Sequence, residues 1–330
     1  MAANSKTQPR KRATISDVAA AAGVSRTTVS LVLADHPRIT EPTKQLVRNA
    51  LSDLGYVYNR AAKAVRSGHS SLLGLLVTDI RNPFFAELTM AVNRAIEDSD
   101  TSTVLGFSFG SPEREARLAL SLIENLLGGV ILLPTPDSTS ADLACLNGPV
   151  PLVQLLRQVP GLESDYVGVD NLGSGRLLGE HLAAIGVEHA MLVGERRSAQ
   201  YDDRLAGLGE PLGGPIRPVL GGAAGLREQL ANQVPDAVVT YNDTHLISVL
   251  HVLRDAGLEP GRDVALASFD DTPLASDVSP AVTSVDHHAA ELAEHAVQLL
   301  LERAYDPGRP WQKVMVPGTL NTRESTQLDR

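Results

Sequence analysis

From residue 71 onward, short apolar runs alternate with longer stretches in which apolar residues recur every three or four positions. The short runs predict strands at 72–78, 103–108, 128–133, 150–155, 189–194, 236–241 and 263–269. The amphipathic stretches predict helices at 84–98, 112–126, 173–186, 243–257 and 288–304. Strands and helices in alternation mean parallel sheet covered on both faces. Ligands in such sheets sit at the carboxyl ends of the strands.

Polar residues gather at those ends. Asp79, Asn82, Phe84 and Phe85 follow the first strand, with Asn82 and Pro83 also reading as a helix start. Arg157, Asn171, the pair Asn242-Asp243 and the pair Asp270-Asp271 follow later strands. Each alone reads more readily as a cap or turn residue. Their convergence at one end of the sheets favours a binding site for a small polar molecule.

The first 70 residues follow a different pattern. Residues 1–12 show no apolar periodicity and predict a disordered basic arm. In TISDVAAAAGVSRTTVSLVL, Thr14 and Asp17 predict a capped helix start, with Val18, Ala19 and Ala22 on its inner face. Gly23 ends that helix, and Ser25 caps a second one with Val29 and Val32 inward. Two short helices joined by a Gly-containing turn form the helix-turn-helix layout. Its second helix presents Arg26, Thr27, Thr28, Ser30 and Leu31 outward, where base edges in a major groove are read. A third helix is expected over roughly 41–54, capped by Thr40, with Leu46, Val47, Ala50, Leu51 and Leu54 at helical spacing and Gly55 as its stop. Asn59 is a candidate cap for a further short helix, read either as a flexible linker or as a hinge that folds on DNA.

Charge sharpens this division. Residues 1–70 carry eleven Lys and Arg against four acids, while the remainder carries eighteen against thirty-five. A basic head displaces counterions from phosphates while an acidic body is repelled by the duplex. Arg10, Lys11, Arg12, Lys44 and Lys63 are the candidate phosphate contacts. No uninterrupted apolar run is long enough to span a membrane, and the polar N-terminus has no secretory pattern. The single cysteine, Cys145, cannot form an internal disulfide and fits a reducing cytosol. No Cys/His set has zinc-ligand spacing, no nucleotide-binding glycine loop is present, and no catalytic set is recognisable, so neither metal, cofactor nor enzyme is expected.

The head run, the NRAAKAVRSG segment and, in order, GLLVTDIRNPFFAEL, GGVILLP, VPLVQLLR, VDNLGSGRLLGEHL, YNDTHLISVLHVLRDAGLEPGRDVALASFDDTPLAS, TSVDHH and TREST resemble the LacI/GalR family of bacterial transcriptional regulators over about residues 13–326. The resemblance implies a helix-turn-helix domain at 13–58, a hinge at 59–70 and a two-lobed, periplasmic-binding-protein-like α/β body at 71–330 whose chain crosses between lobes near 168, 286 and 318. It implies a cytoplasmic, nucleoid-associated homodimer on a palindromic operator in double-stranded DNA, with a small-molecule effector, a sugar or related polar metabolite, in the cleft. The DNA-binding set is then Thr14, Ser25, Arg26, Thr27, Thr28, Ser30, Leu31, Asn59, Arg60, Ala62 and Val65. Val65 stands where the family usually has a leucine wedged between bases. The effector set is Asp79, Asn82, Phe84, Arg157, Arg204, Asn242, Asp270 and His287. The sequence departs from the family at Leu156, where Asp is frequent, at His287, where Gln is frequent, and at Leu31, where Arg is frequent. Five Gly and three Pro in residues 211–225 predict a shortened, loop-rich segment after Arg204. No leucine heptads follow TREST, so a dimer without a tetramerisation tail is expected. A solute-capture transport protein would share the body but need a secretory signal and no helical head.

Overall fold

The computed structural model describes residues 13–56 and 70–328 apart from Asp98, Asp100, Leu126 and Pro149. These fall into two compact units, a helical head and an α/β body.

The head holds three helices: α1 (Ile15–Ala22), α2 (Arg26–Leu33) and α3 (Glu41–Asp53). Thr14 and Asp17 close a reciprocal cap on α1, and Gly23 ends it with a left-handed φ of 65° that other residues adopt at a cost. Ser25 accepts from the Thr28 amide at the start of α2. Val18, Ala19, Val29, Val32, Val47 and Ala50 form the core, their small side chains letting the helices approach closely. Two expectations for α3 need correcting. Thr40 holds the cap position but makes no cap hydrogen bond, its hydroxyl pairing with that of Thr43 instead. Leu46 and Leu54 are exposed rather than inward, because α3 turns only the Val47–Ala50–Leu51 face to its neighbours.

The body contains two six-stranded sheets. The first runs β11-β5-β4-β3-β1-β2, built from β1 (Leu72–Val77), β2 (Ser102–Phe107), β3 (Gly129–Leu132), β4 (Leu152–Leu155), β5 (Asp165–Val169) and β11 (Lys313–Val316), and all its pairings are parallel. The second runs β12-β10-β9-β8-β6-β7, from β6 (Ala190–Gly194), β7 (Arg217–Leu220), β8 (Ala237–Thr240), β9 (Ala265–Asp270), β10 (Thr283–Asp286) and β12 (Thr319–Asn321); only β12 is antiparallel to its neighbour. Each sheet is covered on both faces, which is why its central strands are buried along almost their whole length and largely apolar. In the first lobe α4 (Pro83–Ala95) and α11 (Ala289–Tyr305) pack on one face and α5 (Pro112–Glu124) on the other. In the second, α6 (Asn171–Ala184) and α7 (Ala199–Leu212) cover one face, and α8 (Gly222–Leu230) and α9 (Leu246–Asp255) the other. A short helix, α10 (Pro273–Asp277), follows β9.

The chain passes between lobes three times: from β5 to α6, from β10 to α11, and from β11 to β12. Buried Arg303 of α11 pairs with Asp165 of β5 through two bonds of 3.0 Å and fastens the returning helix to the first sheet.

The expectation of a loop-rich segment after Arg204 is overturned. The helix continues to Leu212, and β7 and α8 follow. The glycines there serve close contact or turning. A β-carbon at Gly207 would lie 2.2 Å from the Leu172 carbonyl oxygen of α6, and one at Gly225 would lie 1.9 Å from the Leu220 carbonyl oxygen. Gly213 ends α7 in the left-handed region. Pro211 sits in the last turn, where loss of one helical hydrogen bond is tolerable.

Candidate functional site

Two places in the molecule gather the expected site residues. The first is the outer surface of α2. Arg26, Thr27 and Ser30 are exposed and Leu31 is half-buried. Leu31 is not among the side chains packed on the head core, whereas Leu33 is. Ser25 and Thr28 bond each other, hydroxyl to hydroxyl, at 2.9 Å, so their side chains serve the start of α2. Thr14 serves the start of α1, donating from its amide and its hydroxyl to the Asp17 carboxylate at 2.8 and 2.7 Å. Lys44 forms an ion pair with Asp35 and has little exposed side chain, so it is less free to reach a phosphate than its charge suggested. Asn59, Arg60, Ala62, Lys63 and Val65, like Arg10, Lys11 and Arg12, lie outside the described residues.

The second is the cleft between the lobes. It lies at the carboxyl ends of both sheets and holds about 440 Å³ of space unfilled by atoms, its open mouth included. The first lobe contributes Asn82, Phe84, Phe85, Leu156, Arg157 and Val169; the second contributes Asn171, Gln200, Arg204, Tyr241, Asn242, Asp270 and His287. Seven of the eight expected effector residues are thus brought together. Asp79 is not. It is clamped by Arg81, which donates from its backbone and its guanidinium at 2.6–3.0 Å.

Local structure explains how each group is placed. Asn82 caps α4 by accepting from the Phe84 amide at 3.0 Å, which sets Phe84 and Phe85 on the first turn. Phe84 is buried in the first lobe's core and meets the His287 ring edge-on at 6.1 Å. Arg157 is delivered by a tight turn: its amide donates to the Leu155 carbonyl at 2.7 Å, with Leu156 between them at a φ of 63°. A leucine in that conformation is strained, and strain of this kind concentrates at binding sites. Arg204 donates from Nε to Asn171 Oδ1 at 2.8 Å and from a terminal nitrogen to the Tyr241 carbonyl at 2.5 Å. Its guanidinium lies 4.7 Å from the ring centres of both Tyr241 and Phe269. That placement depends on close contact of α6 and α7, where glycines at 175, 179 and 207 bring backbone against backbone.

The electrostatics of the cleft are unusual. Burial pushes the Asp270 carboxyl up to about 7, against the pull of Arg204, Arg157 and His245. Asp243, just behind it, is also pushed up to about 7, by burial and then by the Asp270 charge. Burial, reinforced by Arg204, drives the His287 pKa well below its usual value, so this imidazole is neutral. Its Nδ1 lies 3.2 Å from Asp270 Oδ1, and its buried Nε2 has no partner among the described residues. Burial lowers the pKa of Arg157 as well, since its guanidinium lies deeper than the half-exposed residue as a whole. The site can therefore stack on an apolar face, donate from two guanidinium groups, and exchange hydrogen bonds with Asp270 and His287.

Phe85 and Asn171, read from the sequence as strand-end residues near the site, line the cleft, and so do Leu156, Val169, Gln200 and Tyr241, which sequence reasoning left out of the effector set. Gln200 stands one helical turn before Arg204 and was findable once a helix was recognised there. Tyr241 directly precedes Asn242 and carries the same strand-end signal.

Comparison with known proteins points the same way. The profile described as bacterial regulatory proteins, lacI family, matches residues 14–59, and that of a periplasmic binding protein-like domain matches residues 180–326. The HTH-type transcriptional regulator GalR of Salmonella typhimurium strain LT2 is 30% identical over 315 residues, covering 88% of this chain and 90% of its own. Among solved structures, a complex of the transcriptional regulator CelR with cellobiose is 27% identical with a TM-score of 0.67, covering 95% of this chain and 100% of the other. A lac repressor dimer bound to operator and an anti-inducer is 24% identical with a TM-score of 0.82, over 96% of this chain and 99% of the other, and shares the fold.

Proposed function

The chain belongs to the lacI family of bacterial regulatory proteins, DNA-binding transcriptional regulators rather than enzymes, and from that premise we propose that it is a repressor whose operator affinity is set by a sugar or related polar metabolite bound between its two lobes. The observation that carries this reading is the cleft itself. Buried Arg204 and Asp270 face it beside Phe84 and the unpartnered Nε2 of His287.

In this reading α2 enters the major groove of a palindromic operator, with Arg26, Thr27, Ser30 and Leu31 toward the bases. Thr14, Ser25 and Thr28 hold the helix starts whose free amides face phosphates. Asn59, Arg60, Ala62 and Val65 act at the hinge. The active species is a homodimer. Edge strand β2 leaves Val104 and Leu105 exposed, with Phe109 just beyond it, and edge strand β7 leaves Leu220 exposed. Apolar sheet edges of this kind are normally covered. No helix among the described residues is long and apolar enough to cross a membrane; the protein works in the cytoplasm beside the nucleoid.

The test is operator binding by the full chain, with and without each sugar that raises its melting temperature, since a ligand bound to the native state stabilises it. Asp270→Ala should abolish the response while operator binding survives. A normal response in that variant would remove the cleft assignment.

A further inference from the structure

We infer that the effector of this protein carries an anionic group, a carboxylate or a phosphate, and that Arg157 is the seat of that group. The inference rests on the reading of the interlobe cleft as the effector site.

Arg157 is the guanidinium in the cleft that forms no ion pair among the described residues. Its guanidinium donates to the Pro134 carbonyl at 3.0 Å and lies 5.7 Å from the centre of the Phe85 ring. No carboxylate among the described residues comes within ion-pair distance of it. Glu115, whose charge acts on Arg157 without touching it, is fully buried and taken up by the Thr135 amide and the Ser138 hydroxyl. Arg157 therefore keeps most of its five donors for whatever enters the cleft. The residue before it, Leu156, also lines the cleft and brings no charge.

The rest of the cleft does not restore the balance. Arg204 brings a second permanent positive charge, its outer nitrogen 3.9 Å from Asp270 Oδ1. Among the described residues lining the cleft Asp270 is the one carboxylate, and burial leaves it only partly ionised near neutral pH. His287 adds no charge. Two guanidinium groups thus face one weakened carboxylate. Desolvated charge without a partner is costly, and a neutral sugar fills hydrogen bonds without removing that cost. A carboxylate or phosphate removes it, and the planar guanidinium fork matches either in two-pronged fashion. Phe84, Phe85 and the bare His287 Nε2 then suit a hydroxylated carbon frame attached to the anion.

The experiment compares melting temperatures of the full chain in inorganic phosphate, in D-gluconate and D-glucuronate, in D-glucose 6-phosphate, and in D-glucose. Ionic strength is matched with chloride throughout. We expect a stabilisation by at least one anion that chloride does not give, with D-glucose at least tenfold weaker than its charged derivative by titration. Comparison of the gluconate and phosphate arms identifies which anion is preferred. Arg157→Gln should weaken the effective anion by about 30-fold or more, as loss of one partner in a buried charge pair does. Arg157→Lys, which keeps charge but not the fork, should recover part of the loss and guards against a folding defect in the first variant. No anion-specific stabilisation, or an equal one in Arg157→Gln, overturns the inference. If D-glucose or another neutral sugar alone stabilises the chain and Asp270→Ala erases that effect, the cleft reading stands and the anion falls. If neither class stabilises it, both fall.

Discussion

Arg26 and Leu31 of α2 offer opposite chemistry to a groove. Arg26 is exposed at the helix start and can donate two hydrogen bonds to guanine; Leu31 can offer only apolar contact, best to a thymine methyl. Arg26→Ala should cost about 1–3 kcal/mol of operator binding and relax a guanine preference, and Leu31→Arg should introduce a new one. Selection of bound sequences from a random pool reads both; an unchanged motif for Leu31→Arg would show that this side chain does not meet the bases. A second residue-scale effect concerns pH. Asp243 accepts from the Thr272 amide at 2.6 Å and hydroxyl at 2.9 Å, yet its pKa is raised from 3.8 to about 7 by burial and the Asp270 charge. The native state therefore binds a proton that the unfolded state releases at lower pH. The stability this group contributes is complete below pH ~4 and is lost as pH rises through about 7. At ~1.4 kcal/mol per pH unit the loss amounts to at most about 4 kcal/mol. Asp243→Asn should unfold at higher urea than the parent at pH 8, with the gap closing toward pH 4. A constant gap across that range would mean the carboxyl does not titrate in the window.

The pair α6 and α7 carries Asn171 and Arg204, and its spacing is set by absent side chains. Gly207→Ala would place a methyl group 2.2 Å from the Leu172 carbonyl oxygen and 2.8 Å from the Arg176 nitrogen. Alanine favours the helix by ~1 kcal/mol, but overpacking costs about 1–3 kcal/mol, and a clash with backbone has no flexible end to yield. The variant should lose stability in urea denaturation and bind effector more weakly, because Arg204 moves away from Asn171; an unchanged midpoint would show that the helices separate freely. The same elements explain what the sequence concealed. All seven expected strands and all five expected helices of the body occur within a few residues of their places, because buried central strands read as plain apolar runs. Those overlooked have polar or irregular text with a tertiary cause. β5 begins with Asp165, which is paired to Arg303 from 138 residues away. In β10, Thr283 and Ser284 are buried because Ser325, Thr326 and Asp243 satisfy them. β7 holds Pro218 at a sheet edge. The glycines of α7 read as a loop until α6 lies against them. The cleft was more legible than the elements carrying it, since residues at strand ends keep their meaning even where the strand boundary is misjudged.

Across the whole body, the lobes touch through Asp137, past β3, and Arg196, past β6. Two parallel bonds of 2.8 and 2.6 Å join them, with both side chains more than half exposed. The Arg196 guanidinium holds the Asp137 carboxyl below its usual range. Asp137→Ala should raise the effector dissociation constant severalfold at low salt, and the difference should shrink in high salt, where exposed pairs are screened. Titration calorimetry at two ionic strengths decides; a difference that persists in high salt means the contact acts otherwise than by charge. The three passages of the chain between lobes have a further consequence, on the ribosome. β11 and β12 lie within residues 313–321 and close an edge of each sheet. Every core residue of the head precedes residue 57. Domains fold as they emerge, at roughly 5–20 residues per second. For something between ten seconds and a minute, each nascent chain therefore carries a helical head whose core residues have all emerged, attached to a sensor in which neither lobe can yet be completed. Translation that aborts before Lys313 leaves that imbalance permanent: a head with every core residue present, on a body missing one edge strand of each sheet.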